Sequence, residues 1–178
     1  MLTLDDIRKI QVVNFKDSEW ACNDKYKGLV KPPFCNGGIG SKGIDIDLKH
    51  GLQLFRDTLW MNGIRKPVNI ISGYRCRAYN DHKSVGGAKN SQHLYGTAAD
   101  ISVQGMTTEA LMEFVEHLNI FTGRGLYPGR NFIHVDTRRG IVGTPTRWVQ
   151  TISGGYISVP TFMGWIKPGL ISHLKPND

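Results

Sequence analysis

Short strand-like runs alternate with two amphipathic helical stretches, and this pattern restricts the fold more than any other feature of the sequence. Helical periodicity covers residues 45–62, and a second helix is expected to begin after Thr107, which can cap it. Four strands are predicted, at residues 67–72, 98–103, 125–127 and 132–136. Helices that are segregated from a mostly antiparallel sheet predict an α+β fold.

The length of 178 residues predicts one domain. A chain of this size buries about 70% of its unfolded surface, so it needs no disulfide or metal merely to form a core. We expect the core within residues 45–150, and an irregular C-terminal tail over residues 151–178. No apolar run approaches the roughly 18 residues that a membrane helix requires, so we expect no membrane insertion. We also expect a monomer.

The net charge of +7 suits an anionic partner, such as a nucleic acid or an anionic cell envelope. The basic residues are scattered and accompany no zinc-finger or helix-turn-helix signature, so nucleic acid is not expected. The first six residues lack the basic and apolar regions of a secretory signal peptide. The chain is therefore expected to stay inside the cell, to leave by another route, or to have lost a signal.

The sequence contains three cysteines, which cannot all pair with one another. Cys22 and Cys35 flank a loop, and they could form a disulfide or both be thiols. Cys76 follows the first predicted strand, and a small buried hydrophobe is the default interpretation of such a residue. The pairing stays open.

Two short stretches concentrate the side chains that bind metals. His93 and Asp100 lie in the first stretch, and His134 lies in the second. Two imidazoles and one carboxylate, with a fourth position left for water, are typical of a catalytic zinc site. Asp136 is two residues beyond His134 on a predicted strand, so both side chains are expected on the same face. Asp136 could then act as a base or orient a ligand.

Each of these residues also has an ordinary structural interpretation. A single histidine is more often a surface or core residue than a ligand. Asp100 could be a turn residue at the end of a strand. Asp136 could form a surface ion pair with Arg138 or Arg139. Only the combined pattern points to a metal site.

That combined pattern resembles the M15 family of zinc peptidases, the D-Ala-D-Ala carboxypeptidase group. The motifs that carry the resemblance are Ser91-x-His93-x-x-Gly96-x-Ala98-x-Asp100 and Phe132-x-His134-x-Asp136. Further similar positions lie in residues 71–91, 125–128, 147–148 and 18–22. The resemblance covers about residues 45–150, and the similarity is greatest to the subgroup with a Phe-x-His-x-Asp strand.

The resemblance implies a fold shared with hedgehog-type domains, in which a small antiparallel sheet carries helices on one side and zinc lies in a cleft. It implies that the zinc ligands are His93, Asp100 and His134. Arg75 matches the arginine that family members use to hold a substrate carbonyl or carboxylate, a role that suits a planar guanidinium. A structural ion pair is the alternative for this residue.

Three further residues are candidates for substrate contact. Ser91 and Gln92 are next to a predicted ligand, although capping of a turn accounts for Ser91 equally well. Tyr127 is a candidate hydrogen-bond donor to the oxyanion that develops during hydrolysis. Several M15 members carry a catalytic acid three residues before the last zinc histidine, and here that position is Asn131. We therefore expect Asp136 to be the general base, with orientation of a ligand as its alternative role.

These features predict a zinc-dependent peptidase that hydrolyses bonds in peptidoglycan stem peptides, as a D-Ala-D-Ala carboxypeptidase or as a lytic endopeptidase. Bonds that involve D-amino acids are the targets that the resemblance implies. The lack of a signal peptide suits a phage-type lysin that acts on the bacterial cell wall. The alternative is a non-catalytic, zinc-containing cell-wall-binding domain of the same fold, which Asn131 favours.

Overall fold

The computed structural model describes residues 3–23, 28, 35, 37–139, 144–151 and 153–162. Most of the predicted core therefore lies within the described residues. Of the predicted C-terminal tail, residues 163–178 lie outside them.

The helices begin where the sequence offers side chains that can cap them. They are α1 (Leu4–Arg8), α2 (Ile46–Met61), α3 (Arg77–Asn80) and α4 (Thr108–Leu118), with 3-10 turns at Asp17–Trp20 and Gln92–Tyr95. Asp45 accepts a hydrogen bond from the backbone N–H of Leu48, and Thr107 accepts one from that of Ala110. Each cap satisfies a backbone donor that the first helical turn leaves without a partner.

The described strands form one six-stranded sheet. They are β1 (Val68–Ser72), β2 (Ala98–Val103), β3 (Gly123–Leu126), β4 (Ile133–Asp136), β5 (Thr146–Gln150) and β6 (Tyr156–Ser158). Their order across the sheet is β1-β2-β4-β3-β5-β6, and all neighbours are antiparallel except β3 and β5. The predicted α+β class and mostly antiparallel sheet are confirmed.

The parallel pairing of β5 follows from the path of the chain. β4 is antiparallel to β3, so β4 ends beside the start of β3, where Gly123 is paired with Asp136. On the other side of β3, β5 begins with Thr146 opposite Gly123, so β4 ends and β5 begins at the same edge of the sheet. Because β5 leaves this edge in the same direction as β3, the two strands are parallel.

One face of the sheet is covered by helices. Ala99 and Ile101 on β2 and Ile133 and Val135 on β4 are fully buried against the apolar faces of α2 and α4. Burial of each large aliphatic or aromatic side chain contributes about 1.5–3 kcal/mol to folding. Because successive strand residues point to opposite faces, the intervening Asp100, His134 and Asp136 project from the other face.

The described residues contain no helix that is long and apolar enough to cross a bilayer. The short strand β6 lies in the region for which only irregular structure was predicted, and it pairs with β5.

Candidate metal centre

Two of the three predicted metal ligands are direct neighbours across the sheet. Asp100 on β2 is paired with His134 on β4. Residues that are paired across neighbouring strands form a row, and this row continues from His134 to Gly125 on β3 and from Gly125 to Trp148 on β5. The sheet register therefore fixes the separation of the carboxylate and the imidazole, and it places an aromatic side chain two strands from the histidine.

The third ligand, His93, reaches the row from the 3-10 turn that precedes β2. This turn ends at Gly96, which has a left-handed φ of 71°. A β-carbon at this position would collide with the carbonyl oxygen of Gly43. His93 Nδ1 donates a hydrogen bond to the carbonyl oxygen of Gly73 over 2.6 Å. That bond places the proton on Nδ1, so the lone pair of Nε2 faces the row.

The donor atoms of the three residues converge on one point. His93 Nε2 lies 3.2 Å from Asp100 Oδ1 and 3.2 Å from His134 Nδ1, and the last two atoms are 3.0 Å apart. Tetrahedral zinc with bonds of about 2.0–2.1 Å to nitrogen and oxygen separates its ligand atoms by about 3.3 Å. The side chains His93, Asp100 and His134 therefore fit a divalent metal ion, and they are all buried.

The charges in this group favour an ionised carboxylate between two imidazoles. Burial opposes ionisation of Asp100, but His93 and His134 outweigh it and hold the pKa of Asp100 well below its usual range. Burial lowers the pKa of His93, so this ring is neutral at neutral pH. Burial also disfavours charge on His134, but hydrogen bonds to Asp100 and Asp136 outweigh it and raise the pKa of this ring. A carboxylate and neutral imidazoles are the forms that bind zinc.

Arg75 is bonded to the carboxylate of Asp100. Its Nη2 donates to Asp100 Oδ2 over 2.5 Å, and its Nε donates to Ser72 Oγ over 2.9 Å. The backbone N–H of Arg75 donates to the carbonyl oxygen of His93 over 3.0 Å. The ion pair that the sequence offered as the alternative for Arg75 is thus present, and the guanidinium also lines the cleft described below.

Asp136 lies on the far side of the His134 ring from Asp100. Its Oδ2 is 2.9 Å from His134 Nε2, while His134 Nδ1 faces the other two ligands. Arg138 donates to both oxygens of Asp136, over 2.8 Å from Nε and 2.6 Å from Nη2. Asp136 is fully buried, and Arg138 and His134 lower its pKa despite the opposing effect of burial. The Asp136–Arg138 pair considered from the sequence is present, but its carboxylate is in the interior.

A cleft of about 600 Å³ lies over the three converging donor atoms. One wall is formed by the segment between α3 and β2, with Ser91 and Gln92 among its residues. Ser91 makes no side-chain capping hydrogen bond at the start of its turn, contrary to the capping alternative. The side-chain oxygen of Gln92 accepts a hydrogen bond from Thr97 Oγ1 over 2.9 Å.

Aromatic side chains form the opposite wall. The hydroxyl of Tyr127 accepts a hydrogen bond from Trp148 Nε1 over 3.2 Å, and the Trp148 ring lies 5.1 Å from that of His134. Gly125 makes room for this indole, because a β-carbon there would be 2.5 Å from it. Burial, followed by the nearby charge of Asp100, raises the pKa of Tyr127, so its hydroxyl keeps its proton at neutral pH.

Some residues that line the cleft had no functional role assigned from the sequence. Asn131, by contrast, is not among the residues that line the cleft. Among the additional side chains are Arg130, Gln150 and Tyr156, together with Arg138, which the sequence analysis considered only as an ion-pair partner of Asp136. Arg138 lies over the Trp148 ring with its guanidinium carbon 5.0 Å from the ring centre. Its position two residues after Asp136 is the sequence feature that could have identified Arg138 as a cleft residue. No sequence motif marks Tyr156, which lies on the unpredicted strand β6. Asn131 is exposed and lies two residues before β4.

Comparisons of the sequence with known proteins identify a family and two groups of relatives. Residues 14–136 match the family model described as Peptidase M15. A protein of Escherichia coli K12 named peptidoglycan L,D-endopeptidase MepK is 38% identical over 78 residues, which are 42% of each chain. A protein of Haemophilus influenzae named probable peptidoglycan L,D-endopeptidase MepK is 40% identical over 73 residues, 39% of each chain. Each match thus spans less than half of the curated relative.

Proposed function

The chain belongs to the peptidase M15 family, and we propose that it is a zinc-dependent endopeptidase that cuts the stem peptides of bacterial peptidoglycan. The observation that carries this proposal is the convergence of His93 Nε2, Asp100 Oδ1 and His134 Nδ1 at a cleft large enough for a peptide. The substrate class is supported by the names of the two relatives.

Zinc held by these three side chains would supply a Lewis acid that polarises a carbonyl and lowers the pKa of water. His93 and His134 each present one fixed nitrogen, because Gly73 and Asp136 occupy the other. Arg75 holds the second oxygen of Asp100 and thereby keeps Oδ1 directed at the histidines. Since these contacts are in place before substrate arrives, little reorganisation is needed during the reaction.

We assign four side chains to the substrate. Arg75 lines the cleft beside Asp100, where its remaining N–H groups can donate to a peptide carbonyl or a carboxylate. Tyr127 keeps its proton and lies on the opposite wall, so it can donate to the oxygen on which negative charge develops. Ser91 and Gln92 line the same cleft and are proposed to contact the peptide backbone.

The sequence predicted Asp136 as the base, but its contacts support its alternative role better. Both oxygens of Asp136 are bonded, to His134 and Arg138, and its side chain is fully buried. A carboxylate on the remote nitrogen of a metal-binding histidine orients the ring and increases its basicity. We therefore propose that Asp136 positions His134 and does not contact substrate.

An internal cut is favoured over removal of a terminal residue. The cleft is lined by the segment that contains Ser91, which precedes β2, and by Trp148 and Tyr156 on β5 and β6 at the other end of the sheet order. We propose that a peptide lies across the three ligands with residues on both sides of the cut bond, and the relatives are named as endopeptidases. The net charge of +7 would hold the protein at an anionic cell wall. Release as a phage-type lysin stays a prediction.

The test is digestion of purified peptidoglycan by the full chain, with and without a metal chelator. We expect new amino termini in the products, identified by mass spectrometry, and their loss with chelator. Release of D-Ala alone would identify a carboxypeptidase instead. Binding to sacculi with no product in either condition would contradict the peptidase and support the alternative, a non-catalytic zinc-containing cell-wall-binding domain.

That alternative has one observation in its favour. Among the described residues that line the cleft, Asp100 is the only carboxylate, and it is bonded to Arg75. The exposed Asn131 does not replace the acid that several family members carry. Release of peptides would exclude a purely binding role for this cleft, and the pH–rate profile described below then tests whether Asp136 is the base.

A further inference from the structure

A second cluster of metal-binding side chains lies apart from the histidines. It consists of Cys22, Cys35 and Cys76, whose sulfur atoms all lie within 4.8 Å of one another. The sulfurs of Cys22 and Cys35 are 3.4 Å apart. These residues come from three separate parts of the chain. Cys22 lies two residues after the 3-10 turn Asp17–Trp20, Cys35 precedes α2, and Cys76 is the N-cap of α3.

The surroundings of the sulfurs are apolar, apart from backbone donors. Cys22 and Cys35 are buried with Tyr79, and the side chains of Tyr74 and Val85 pack against this group. The backbone N–H of Cys76 donates to the sulfur of Cys22 over 3.5 Å, and that of Tyr79 donates to the sulfur of Cys76 over 3.4 Å. Such hydrogen bonds stabilise negative charge on sulfur, as a metal-bound thiolate requires.

We infer that Cys22, Cys35 and Cys76 bind a second, thiophilic divalent ion of the zinc class. Tetrahedral zinc with bonds of about 2.3 Å to sulfur separates its sulfur ligands by about 3.8 Å, so small side-chain rotations suffice. Three thiols lose their protons to solvent as three metal–sulfur bonds form, and a solvent or exogenous ligand completes the shell. Soft thiolates select ions of this class over magnesium or calcium.

The position of the cluster gives this ion a structural role. The backbone N–H of Tyr74 donates to the carbonyl oxygen of Trp20 over 2.8 Å, two residues before Cys22. Arg75, adjacent to Cys76, contacts both Asp100 and the backbone of His93. An ion bound to the cysteines therefore fastens the N-terminal segment to the turn that carries Gly73 and Arg75. This role is independent of whether the chain cuts peptidoglycan.

The test uses cadmium, because cadmium bound to thiolates has a sulfur-to-metal charge-transfer absorption in the ultraviolet. The reduced full chain, stripped of metal, is titrated with Cd²⁺ beside the variants Cys35→Ser and His93→Ala. We expect the absorption in the wild type and in His93→Ala, and its loss in Cys35→Ser. We expect one bound ion fewer in each variant than in the wild type. The His93→Ala control separates this site from the proposed catalytic one.

Two results would overturn the inference. One is a wild-type chain without the charge-transfer absorption, and the other is a Cys22–Cys35 disulfide in protein isolated without oxidant, shown by a mass lower by two hydrogens. If Cys35→Ser does not fold, the reactivity of the wild-type thiols toward an alkylating reagent replaces it. Protection of all three thiols by Cd²⁺ supports the site, and unchanged reactivity contradicts it.

Discussion

His134 and Asp136 are bonded to each other through the ring nitrogen that faces away from Asp100. His134 Nε2 lies 2.9 Å from Asp136 Oδ2, and His134 Nδ1 lies 3.0 Å from Asp100 Oδ1. The imidazole is therefore held between two carboxylates. Strand alternation places Asp136 on the same face as His134, but Asp136 contacts the ring nitrogen that faces away from Asp100. Asp136 is therefore near the site without being among the residues that line the cleft.

Replacement of Asp136 by Asn should weaken metal binding and leave the pH dependence of the reaction unchanged in form. Loss of such a carboxylate partner typically lowers metal affinity about 10–100-fold. We expect a drop of this size in zinc affinity, measured by competition with a chromophoric chelator. The rate at saturating zinc should fall less than the affinity.

The pH–rate profile separates the two roles of Asp136. If Asp136 is the general base, Asp136→Asn removes the acidic limb of the profile even at saturating zinc. If Asp136 only positions His134, the limb persists. Asp5→Asn is the control, since the Asp5 side chain is 83% exposed and remote from the cleft.

Removal of either histidine should empty the proposed zinc site. With three protein ligands, His93→Ala or His134→Ala leaves two, and no other His, Cys, Asp or Glu in the described residues joins this group. We expect metal analysis to show one zinc ion fewer than in the wild type and the peptidoglycan digest to show loss of products. His117→Ala, which changes an exposed residue on α4, should keep both. Full occupancy of this site in either site variant would contradict the assignment of ligands.

Arg75→Lys should impair turnover while zinc stays bound. Arg75 bonds Asp100 through one nitrogen and Ser72 through another, and a lysine ammonium does not reproduce this planar arrangement. We expect kcat/KM for a soluble stem peptide to fall roughly 10- to 100-fold, about 1.4–2.7 kcal/mol of transition-state stabilisation. A rise in KM alone would indicate a role only in binding. Arg65→Lys, at an exposed position, is the control.

Local sequence patterns were sufficient for a helix of the core and for the strand that carries Asp100. Helical periodicity and capping residues predicted α2 within one residue of each end, and β2 was predicted at Ala98–Val103. The two sequence motifs predicted that His93, Asp100 and His134 share one site. In the structure these residues lie close together because β2 and β4 are neighbours with Asp100 opposite His134. In these parts, local preference and tertiary packing agree.

The remaining features depend on contacts between distant residues. β5 has only one fully buried residue, Val149, so it lacks the alternation that marks a half-buried strand, and its place is set by pairing with β3. The contact of Arg75 with Asp100 depends on an irregularity in β1 that brings Ser72 opposite Asp100. Strand alternation predicted the face that Asp136 shares with His134, but not the ring nitrogen that it contacts.

Gly125→Ala should disturb the aromatic wall of the cleft. The new β-carbon would meet the indole of Trp148 at 2.5 Å, so the ring must move, and its hydrogen bond to Tyr127 would be lost. Such overpacking typically costs about 1–3 kcal/mol of stability. We expect a raised KM for the soluble stem peptide used for Arg75→Lys, with zinc still bound. Gly155→Ala is the control, since Gly155, like Gly125, has no positive φ and its new β-carbon would meet no atom closer than 3.4 Å.

The free energy of unfolding of the metal-free protein should depend on pH because the bonds of Asp136 to His134 and Arg138 depend on protonation. The folded-state pKa of Asp136 is lowered, so its contribution is present above about pH 3.9, the ordinary pKa of Asp, and is lost as the pH falls further. The folded-state pKa of His134 is raised. The stabilisation that comes from the bond between Asp136 and this ring is therefore complete below about pH 6.5, the ordinary pKa of His, and is lost as the pH rises through the folded-state value. The bond to Arg138 persists at high pH.

The free energy of unfolding of wild type minus that of Asp136→Asn should therefore be largest between about pH 4 and pH 6.5. Breaking a buried pair by removal of one partner costs about 3–5 kcal/mol, and we expect the lower end because Arg138 is partly exposed. Urea denaturation in the presence of chelator, from about pH 3 to pH 9, measures this difference. A difference that does not change with pH would show that Asp136 stabilises the fold through packing alone. A maximum in the expected window would show that the carboxylate holds a protonated His134 when the metal is absent.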